Sequence, residues 1–347
     1  MSHTGRSIFN LVVSILVVPI SAYTDFRDPS CQKTMDDSLS WGILIPHRAT
    51  MVRAWEVPRN PMTAQTAENI EVMESVKRGF AIFMNTPKRA PSLTGGSMSC
   101  NNCHPNGGQR EKALPLVGID KVFPEYNKRS GRNFTLDERI IGCLLRSVNA
   151  TGSRDPAILT RHENELGGSS LNSGTRQVRD LAAYITWLSF GIQINKDIPW
   201  RGHNSLPTSA LLPVDKLNPR LGEKFYNELC SSCHGKDGQG VVLGVVGHGV
   251  DLGVGAKRPG PLWGPNSWND GAGAARTYTL AGMIRNWMPY LNPGILSDEQ
   301  AQDIAAYITS QRRPSFPYKD KDYLKEKMPV DAVYYTQLYK KNPLSRK

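Results

Sequence analysis

The chain has 347 residues and is basic, with 42 Lys and Arg against 31 Asp and Glu and a formal net charge of +11. This length favours two domains over one. The basic residues are scattered rather than clustered, which argues against a nucleic-acid-binding protein, and small anions or an acidic protein are the expected partners. Beyond the N-terminus, no apolar segment of the sequence is long enough to predict a permanent membrane span.

The N-terminus has the pattern of a secretory signal. Arg6 precedes an apolar run from Ile8 to Ile20, and Ser21 and Ala22 offer small residues for cleavage. The run is too short to cross a bilayer. We therefore predict a signal peptide over residues 1–22, an N-terminal extension over residues 23–66 and export to the periplasm. An uncleaved N-terminal anchor is the alternative. Cleavage sites favour a small residue at the third position from the cut, and Ile20 at that position is large.

The same arrangement of a helix and a short motif then occurs twice in the chain. Residues 68–84 and 217–229 carry apolar side chains at helical spacing, and each stretch leads to a Cys-X-X-Cys-His pentapeptide. Gly79 and Gly222 each lie four residues before an aromatic side chain, where a small residue would let a second helix cross closely.

The second helices repeat as well. Residues 179–186 (RDLAAYIT) closely match residues 302–309 (QDIAAYIT). An internal repeat of this kind predicts two copies of one small helical fold. We therefore predict an all-α protein with a first domain over residues 67–190, a linker over 191–213, a second domain over 214–313 and an extended tail over 314–347.

Each pentapeptide has the spacing that covalent attachment of haem c requires. Both thiols can add to the vinyl groups of the haem, and the following His lies under the iron as a ligand. The residues concerned are Cys100, Cys103 and His104 in the first domain and Cys230, Cys233 and His234 in the second. A four-cysteine zinc site is the alternative, but it does not require a His after each pair. The motifs predict two covalently bound haem c groups in tandem cytochrome c-like domains.

The other axial ligand of the first iron is unusual, because no methionine follows His104 in the first domain. The strong donors there are Cys143, in an amphipathic helical stretch opened by Thr135 as a cap, and His162, in a polar segment. We predict Cys143 as the ligand. His162 and an open iron site remain alternatives, and so does a disulfide between Cys143 and Cys31, since export exposes both thiols to oxidation.

The second domain offers a methionine. Met288 precedes a proline after the predicted helix over residues 278–286, and a residue before proline is disfavoured in helical geometry. We predict Met288 as the iron ligand. Met283 lies on the helix itself and is expected in the core, with ligation in place of Met288 as its alternative. His248 is expected in a glycine-rich loop.

Several short motifs together carry a family resemblance. They are Ser99–His104 followed by Pro115-Leu116, Ile141–Cys143 with Arg146-Ser147, Pro261–Pro265 with Asn269–Gly273, Met288-Pro289 and Arg313–Pro317. With these motifs the chain resembles the dihaem thiosulfate dehydrogenase family, from about Gly79 to Phe316. The resemblance implies that the first haem, with His104 and Cys143 as ligands, is the site of chemistry, and that the second, with His234 and Met288, relays electrons.

The chemistry of a thiolate ligand agrees with that expectation. A thiolate lowers the reduction potential of iron and places a nucleophilic sulfur where it can bond to another sulfur. We expect two thiosulfates to be joined into tetrathionate through an S-thiosulfonate on Cys143, with electrons leaving through both haems to an external cytochrome c or copper protein. Tetrathionate reduction by the same residues is one alternative. A dihaem electron-transfer cytochrome without a substrate is another.

Thiosulfate is a dianion, so a pocket for it is expected to contain cations. The candidates are Arg89, Arg110, Lys112 and Arg146, which lie near the first haem motif or Cys143 in sequence. Arg146 follows Cys143 by three residues and is expected on the same side of the helix. For each arginine, a solvated surface position or a haem propionate partner is the alternative.

Two positions depart from the family pattern. The chain has Gln109 where a basic residue is usual, and Asn149-Ala150 where the family has Asn-Gly. Both departures concern the substrate pocket rather than the haem ligands.

Overall fold

The computed structural model describes residues 57–64, 69–111, 113–152, 175–190, 198, 200–202, 204–241 and 259–335. This part of the chain is mostly helical, which confirms the all-α class. It contains no helix with the length and apolarity needed to span a bilayer. The predicted signal peptide and four residues considered above, Cys31, Lys112, His162 and His248, lie outside the described residues.

Six helices of eleven or more residues frame the described part of the chain: α1 (Ile70–Met84), α2 (Leu136–Arg146), α3 (Arg176–Leu188), α4 (Pro219–Leu229), α5 (Thr277–Trp287) and α6 (Asp298–Ser310). Shorter helical turns cover Thr86–Arg89, Cys100–Cys103, Pro105–Gly108 and Ser231–His234. One-turn 3-10 helices cover Pro91–Leu93, Ile119–Val122, Ala150–Gly152, Thr208–Ala210, Val214–Lys216, Gly273–Ala275 and Lys319–Lys321. The long helices α1, α3, α4 and α6 lie where the repeat predicts them.

A small antiparallel hairpin was not predicted. Strands β1 (Glu125–Asn127) and β2 (Arg132–Phe134) pair with Glu125 opposite Phe134. Each strand has only three residues and no apolar alternation, so the period-two pattern that marks a strand in sequence is missing. The connecting turn is local, with Gly131 at a φ of 65°, a left-handed conformation that glycine adopts without strain.

Side-chain caps set where the helices begin. Thr135 opens α2 as predicted, because its hydroxyl accepts from the Glu138 N–H at 3.3 Å while the Glu138 carboxylate accepts from the Thr135 N–H at 2.8 Å. Ser297 and Gln300 form the same reciprocal pair at the start of α6. These contacts satisfy N–H groups that the first helical turn leaves without a backbone partner.

The two helix crossings occur at the two predicted glycines. α1 packs against α3 and α4 packs against α6. A Cβ atom on Gly79 would lie 1.8 Å from the Asp180 carbonyl oxygen, and one on Gly222 would lie 1.9 Å from the Asp303 carbonyl oxygen. Asp180 and Asp303 are equivalent positions of the repeat. Both crossings therefore bring helix backbones into contact at a glycine, which confirms the predicted close approach.

Replacing Gly79 with alanine is expected to destabilise the fold by about 2 kcal/mol, because overpacking against a backbone costs about 1–3 kcal/mol or more and outweighs the roughly 1 kcal/mol by which alanine favours a helix. Gly222→Ala is expected to lower the stability of the fold by a similar amount. Gly273→Ala is the control, since a Cβ there meets nothing within 4 Å. Guanidinium unfolding of the holoprotein measures all three variants, and an unchanged midpoint for Gly79→Ala would contradict the described crossing.

A buried tyrosine ties each crossing to the loop after a haem motif. In the first half, Tyr184 on α3 donates its hydroxyl hydrogen to the Gly107 carbonyl at 2.7 Å. In the second half, Tyr226 on α4 donates to the Gly235 carbonyl, also at 2.7 Å. Both tyrosines are 0% exposed. The loops that follow the two motifs are therefore each fixed to the helical core by a buried tyrosine hydrogen bond, although the tyrosine lies on the second helix of the pair in the first half and on the first helix of the pair in the second half.

The segments outside the helical repeat pack on both halves. In the predicted linker, the Trp200 indole N–H donates to the Val117 carbonyl at 3.1 Å, and the Leu212 N–H donates to the Gln302 side chain at 2.9 Å. As far as residue 335 the tail also lies on the body, where Asp322 accepts from the Arg146 guanidinium. The predicted limits of the domains, linker and tail remain a proposal.

Candidate active site

The first haem motif forms a short helical turn. The turn Cys100–Cys103 begins after Ser99, whose N–H donates to the Asn102 side chain at 2.7 Å. Residues three apart on a helix share a face, so both thiols lie on one side of the turn. The Nδ1 atom of His104 lies 2.6 Å from the Leu114 carbonyl. Nδ1 must donate in that contact, which leaves Nε2 unprotonated and able to bind iron.

The second motif forms a similar turn but differs at the Nδ1 atom of its histidine. His234 ends the turn Ser231–His234, and its backbone N–H donates to the Cys230 carbonyl at 2.9 Å. Burial lowers the pKa of His234 to about 4, so the imidazole is neutral, as a metal ligand must be. Its Nδ1 atom is buried and has no hydrogen-bond partner among the described residues.

The cysteines of both motifs suit thioether bonds. Burial raises the pKa of Cys100, Cys103 and Cys230 to about 12, so these thiols avoid carrying a charge in the interior. A thioether carries no charge either, and covalent attachment therefore creates no buried ion. Within the described residues no three His, Cys, Asp or Glu side chains come together as a metal cluster, which gives the four-cysteine zinc site no support. The residues present fit haem c.

Cys143 lies on the exposed face of α2. Its neighbours Ile140, Ile141 and Leu144 are buried, whereas Cys143 is an exposed free thiol. Charge on Cys143 contributes to the raised pKa of both Cys100 and Cys103, after burial as the main cause. The thiol therefore lies within electrostatic range of the first haem motif. Cys31, the other half of the alternative disulfide, is outside the described residues.

Arg139 is a cation of this site that the sequence motifs did not identify. It lies four residues before Cys143 on α2, and both side chains are exposed. Burial is the main reason why the pKa of His104 is lowered, the Leu114 contact opposes that shift, and the positive charge of Arg139 lowers the pKa further. Arg139 therefore lies near both His104 and Cys143. The helical spacing of four residues was the signal that could have identified it.

Arg146 is buried rather than open to a pocket. It is 8% exposed, and its Nη2 atom donates to Asp322 in the tail at 3.1 Å. The guanidinium carbon lies 4.3 Å from the centre of the Phe316 ring. Asp322 also accepts from Arg129 at 3.0 Å. Arg146 follows Cys143 by three residues on α2, but Cys143 is exposed whereas the Arg146 guanidinium is buried and contacts residues of the tail.

Arg110 and Arg89 lie in different surroundings. Arg110 is 9% exposed, and its guanidinium carbon lies 3.5 Å from the centre of the Tyr290 ring in the second half. Arg89 is exposed at the end of the helical turn Thr86–Arg89. Among the predicted substrate arginines, Arg110 and Arg146 therefore each have a protein partner distant in sequence.

The two residues that depart from the family pattern, Gln109 and Asn149, both make hydrogen bonds within the protein. Gln109 is 0% exposed and exchanges two hydrogen bonds with the backbone of Arg59, at 2.9 and 3.0 Å. Asn149 has a φ of 54° and accepts from the Asn269 side chain at 3.1 Å. Gln109 thus holds the N-terminal segment, and Asn149 joins the two halves, so neither is placed as a free substrate contact.

Met288 lies at the point where α5 ends. Its backbone is extended, with φ −115° and ψ 148°, and its N–H still donates to the Ile284 carbonyl at 3.1 Å. The predicted release from helical geometry before Pro289 is confirmed. Met283, five residues earlier, is 7% exposed and belongs to the hydrophobic core.

The chain is similar to several known proteins. The cytochrome c family model matches residues 220–312. Thiosulfate dehydrogenase of Psychrobacter arcticus is 35% identical over 270 residues, which is 77% of this chain and 72% of the relative. Thiosulfate dehydrogenase of Stutzerimonas stutzeri is 34% identical over 70% of this chain and 69% of the relative. That of Allochromatium vinosum is 34% identical over 70% of this chain and 80% of the relative.

A solved structure is also similar. It is thiosulfate dehydrogenase (TsdBA) from Marichromatium purpuratum in its as-isolated form, with a TM-score of 0.60 and 27% sequence identity. The match covers 87% of this chain and 55% of that chain, so this protein spans about half the length of that one. Taken with the curated relatives and the haem c motif inside the matched cytochrome c region, these likenesses show that the chain is an oxidoreductase that belongs to the thiosulfate dehydrogenase family of c-type cytochromes.

Proposed function

We propose that this protein joins two thiosulfate anions into tetrathionate at the first haem site, in the periplasm. The observation that carries the proposal is Cys143, an exposed thiol on α2 within electrostatic range of the first haem motif. His104 and Cys143 would hold the iron of the first haem, and His234 and Met288 would hold the iron of the second.

The proposed reaction at Cys143 takes place in two steps. In the first, the Cys143 thiolate and the terminal sulfur of one thiosulfate form an S–S bond, which gives an S-thiosulfonate and releases two electrons. In the second, the terminal sulfur of another thiosulfate attacks that bond, so that tetrathionate leaves and the thiolate returns. The two haem c groups, one at each motif, would supply one-electron redox centres for the released electrons, with an external cytochrome c or copper protein as the final acceptor.

The substrate dianion needs a cation that is not already occupied. Arg139 is exposed on the face of α2 that carries Cys143, and no hydrogen bond or ion pair engages its guanidinium within the described ranges. Arg146 and Arg110 are buried against Asp322 and Tyr290. We therefore place Arg139 first among the substrate contacts. Arg89 and Arg146 remain proposed members of the site, and the Arg146 guanidinium would act while paired with Asp322. Arg110 is not proposed as a substrate contact, because its guanidinium packs on the Tyr290 ring.

Replacing Arg139 with glutamine is expected to raise the thiosulfate concentration for half-maximal rate about ten- to a hundredfold, since a charge-assisted contact contributes about 1.5–3 kcal/mol. Arg220→Gln is the matched control, because Arg220 is an exposed arginine on α4 in the other half. Steady-state kinetics across a salt series compares the two variants. Equal effects that fade together with salt would assign the attraction to the overall positive charge rather than to Arg139.

A turnover assay tests the proposed function itself. The holoprotein is mixed with thiosulfate and an artificial electron acceptor, and tetrathionate is quantified. We expect one tetrathionate for every two thiosulfates consumed. Turnover only with tetrathionate and an electron donor would make the protein a reductase by the same residues. No turnover in either direction, with both haems attached, would leave an electron-transfer cytochrome as the better description.

A further inference from the structure

A contact between the two halves links the loops that carry the two haem sites. The Tyr290 hydroxyl donates to the Asn106 side chain at 2.6 Å. Arg110 stacks on the Tyr290 ring and donates through Nη2 to the Tyr290 carbonyl. We call these three residues, Asn106, Arg110 and Tyr290, the interdomain clasp.

In the first half, the residues of the clasp are buried and lie beside a buried hydrogen bond. Asn106 is 0% exposed and lies in the turn after His104, which the Tyr184 hydroxyl holds through Gly107. Arg110 is 9% exposed, and its Nη1 atom is buried without a hydrogen-bond partner in the described part of the chain. A guanidinium packed this tightly between two loops is poorly placed to receive a substrate anion, and well placed to hold Tyr290.

The other side of the clasp is the segment that contains Met288. Met288 ends α5 in extended conformation, and Tyr290 follows it by two residues. Residues 291–295, which come next, are exposed, so burial does not fix the segment from that direction. The ends of the clasp therefore lie two residues from His104 at one site and two residues from Met288 at the other.

We infer that the clasp positions Met288 as a ligand of the second haem, and that Arg110 and Tyr290 act as positioning residues rather than substrate contacts. The inference rests on the ligation by Met288 in the proposed function. Stacking of a cation on a ring and a buried hydrogen bond each restrict where the Tyr290 side chain can lie. Since only one residue separates Tyr290 from Met288, the same contacts restrict the thioether. A change at Arg110, in the first half, should therefore alter the second haem.

The variants Arg110→Gln and Tyr290→Leu each remove the stacking contact, and Tyr290→Phe removes only the hydrogen bond to Asn106. For the first two we expect about a tenfold rise in the fraction of second haem that lacks the thioether ligand, from the loss of one such contact. The readouts are the charge-transfer band of a thioether bound to ferric iron and the midpoint potentials of both haems. The second potential should fall, because a thioether favours reduced iron, and the first should stay unchanged. Tyr290→Phe should lie between these variants and wild type.

Arg132→Gln is the matched control, because Arg132 also stacks on an aromatic ring, with its guanidinium carbon 4.5 Å from the centre of Phe134, but lies in the hairpin outside the clasp. If wild type itself lacks the thioether band, the proposed ligation fails. If wild type has the band, and Arg110→Gln and Tyr290→Leu keep both the band and the potential, the ligation stands and the clasp inference is overturned. If Arg110→Gln does not fold, Arg110→Lys and Tyr290→Phe decide by the same readouts, since both keep part of the contact.

Discussion

Replacing Cys143 with alanine or methionine is expected to lower thiosulfate turnover by at least about a thousandfold, because each variant removes the nucleophilic sulfur on which the proposed S–S chemistry depends. Both haems should stay attached, since Cys100, Cys103, Cys230 and Cys233 are untouched. The fold should tolerate both changes, because alanine and methionine are both favourable residues in a helix. Steady-state assays with an artificial acceptor measure the loss, and haem content confirms that both groups remain.

The spectrum of the second haem is the internal control for the Cys143 variants. It should match wild type in both, because its predicted ligands lie in the other half. Full activity in either variant would remove Cys143 from the reaction. Thiol labelling and peptide mapping address the alternative disulfide, since a mapped bond between Cys31 and Cys143 would exclude a permanent thiolate ligand.

Replacing Met288 with alanine is expected to lower the potential of the second haem and to slow electron delivery to the external acceptor about tenfold or more. The physical reason is that a thioether stabilises the reduced iron, and its loss removes that preference. Initial reduction of the first haem by thiosulfate should change much less. Redox titration gives the two potentials, and rapid mixing separates the two electron-transfer steps.

Met283→Leu is the matched control for Met288→Ala. Met283 is also a methionine of the α5 region, but it is buried in the core, and leucine conserves its volume with a cost below about 1.5 kcal/mol. The Met283→Leu variant should leave the reduction potentials of both haems unchanged. If the haem attached at Cys230 and Cys233 in wild type has the lower potential of the two, the proposed order of electron flow is reversed.

The features that the sequence determined by itself are those that near neighbours in the chain decide. A haem motif and its His lie within five residues, a capping box such as Thr135 with Glu138 spans one turn, and Pro289 acts on the residue directly before it. The helix crossings at Gly79 and Gly222 were also predictable, because the repeat shows the same small residue at the same place in both copies. The family resemblance rests on such local motifs, and the curated relatives confirm it.

The roles of the charged side chains were decided only by the tertiary structure. Arg146 pairs with Asp322 across 176 positions of sequence, and Arg110 meets Tyr290 across 180. A long arginine side chain reaches several partners, and helical spacing gives the face on which it starts but not the loop or tail that folds against that face. Spacing therefore placed Arg146 near Cys143, whereas the packing of the tail and of the Met288 segment determined that the guanidinium groups of Arg146 and Arg110 have partners far away in sequence.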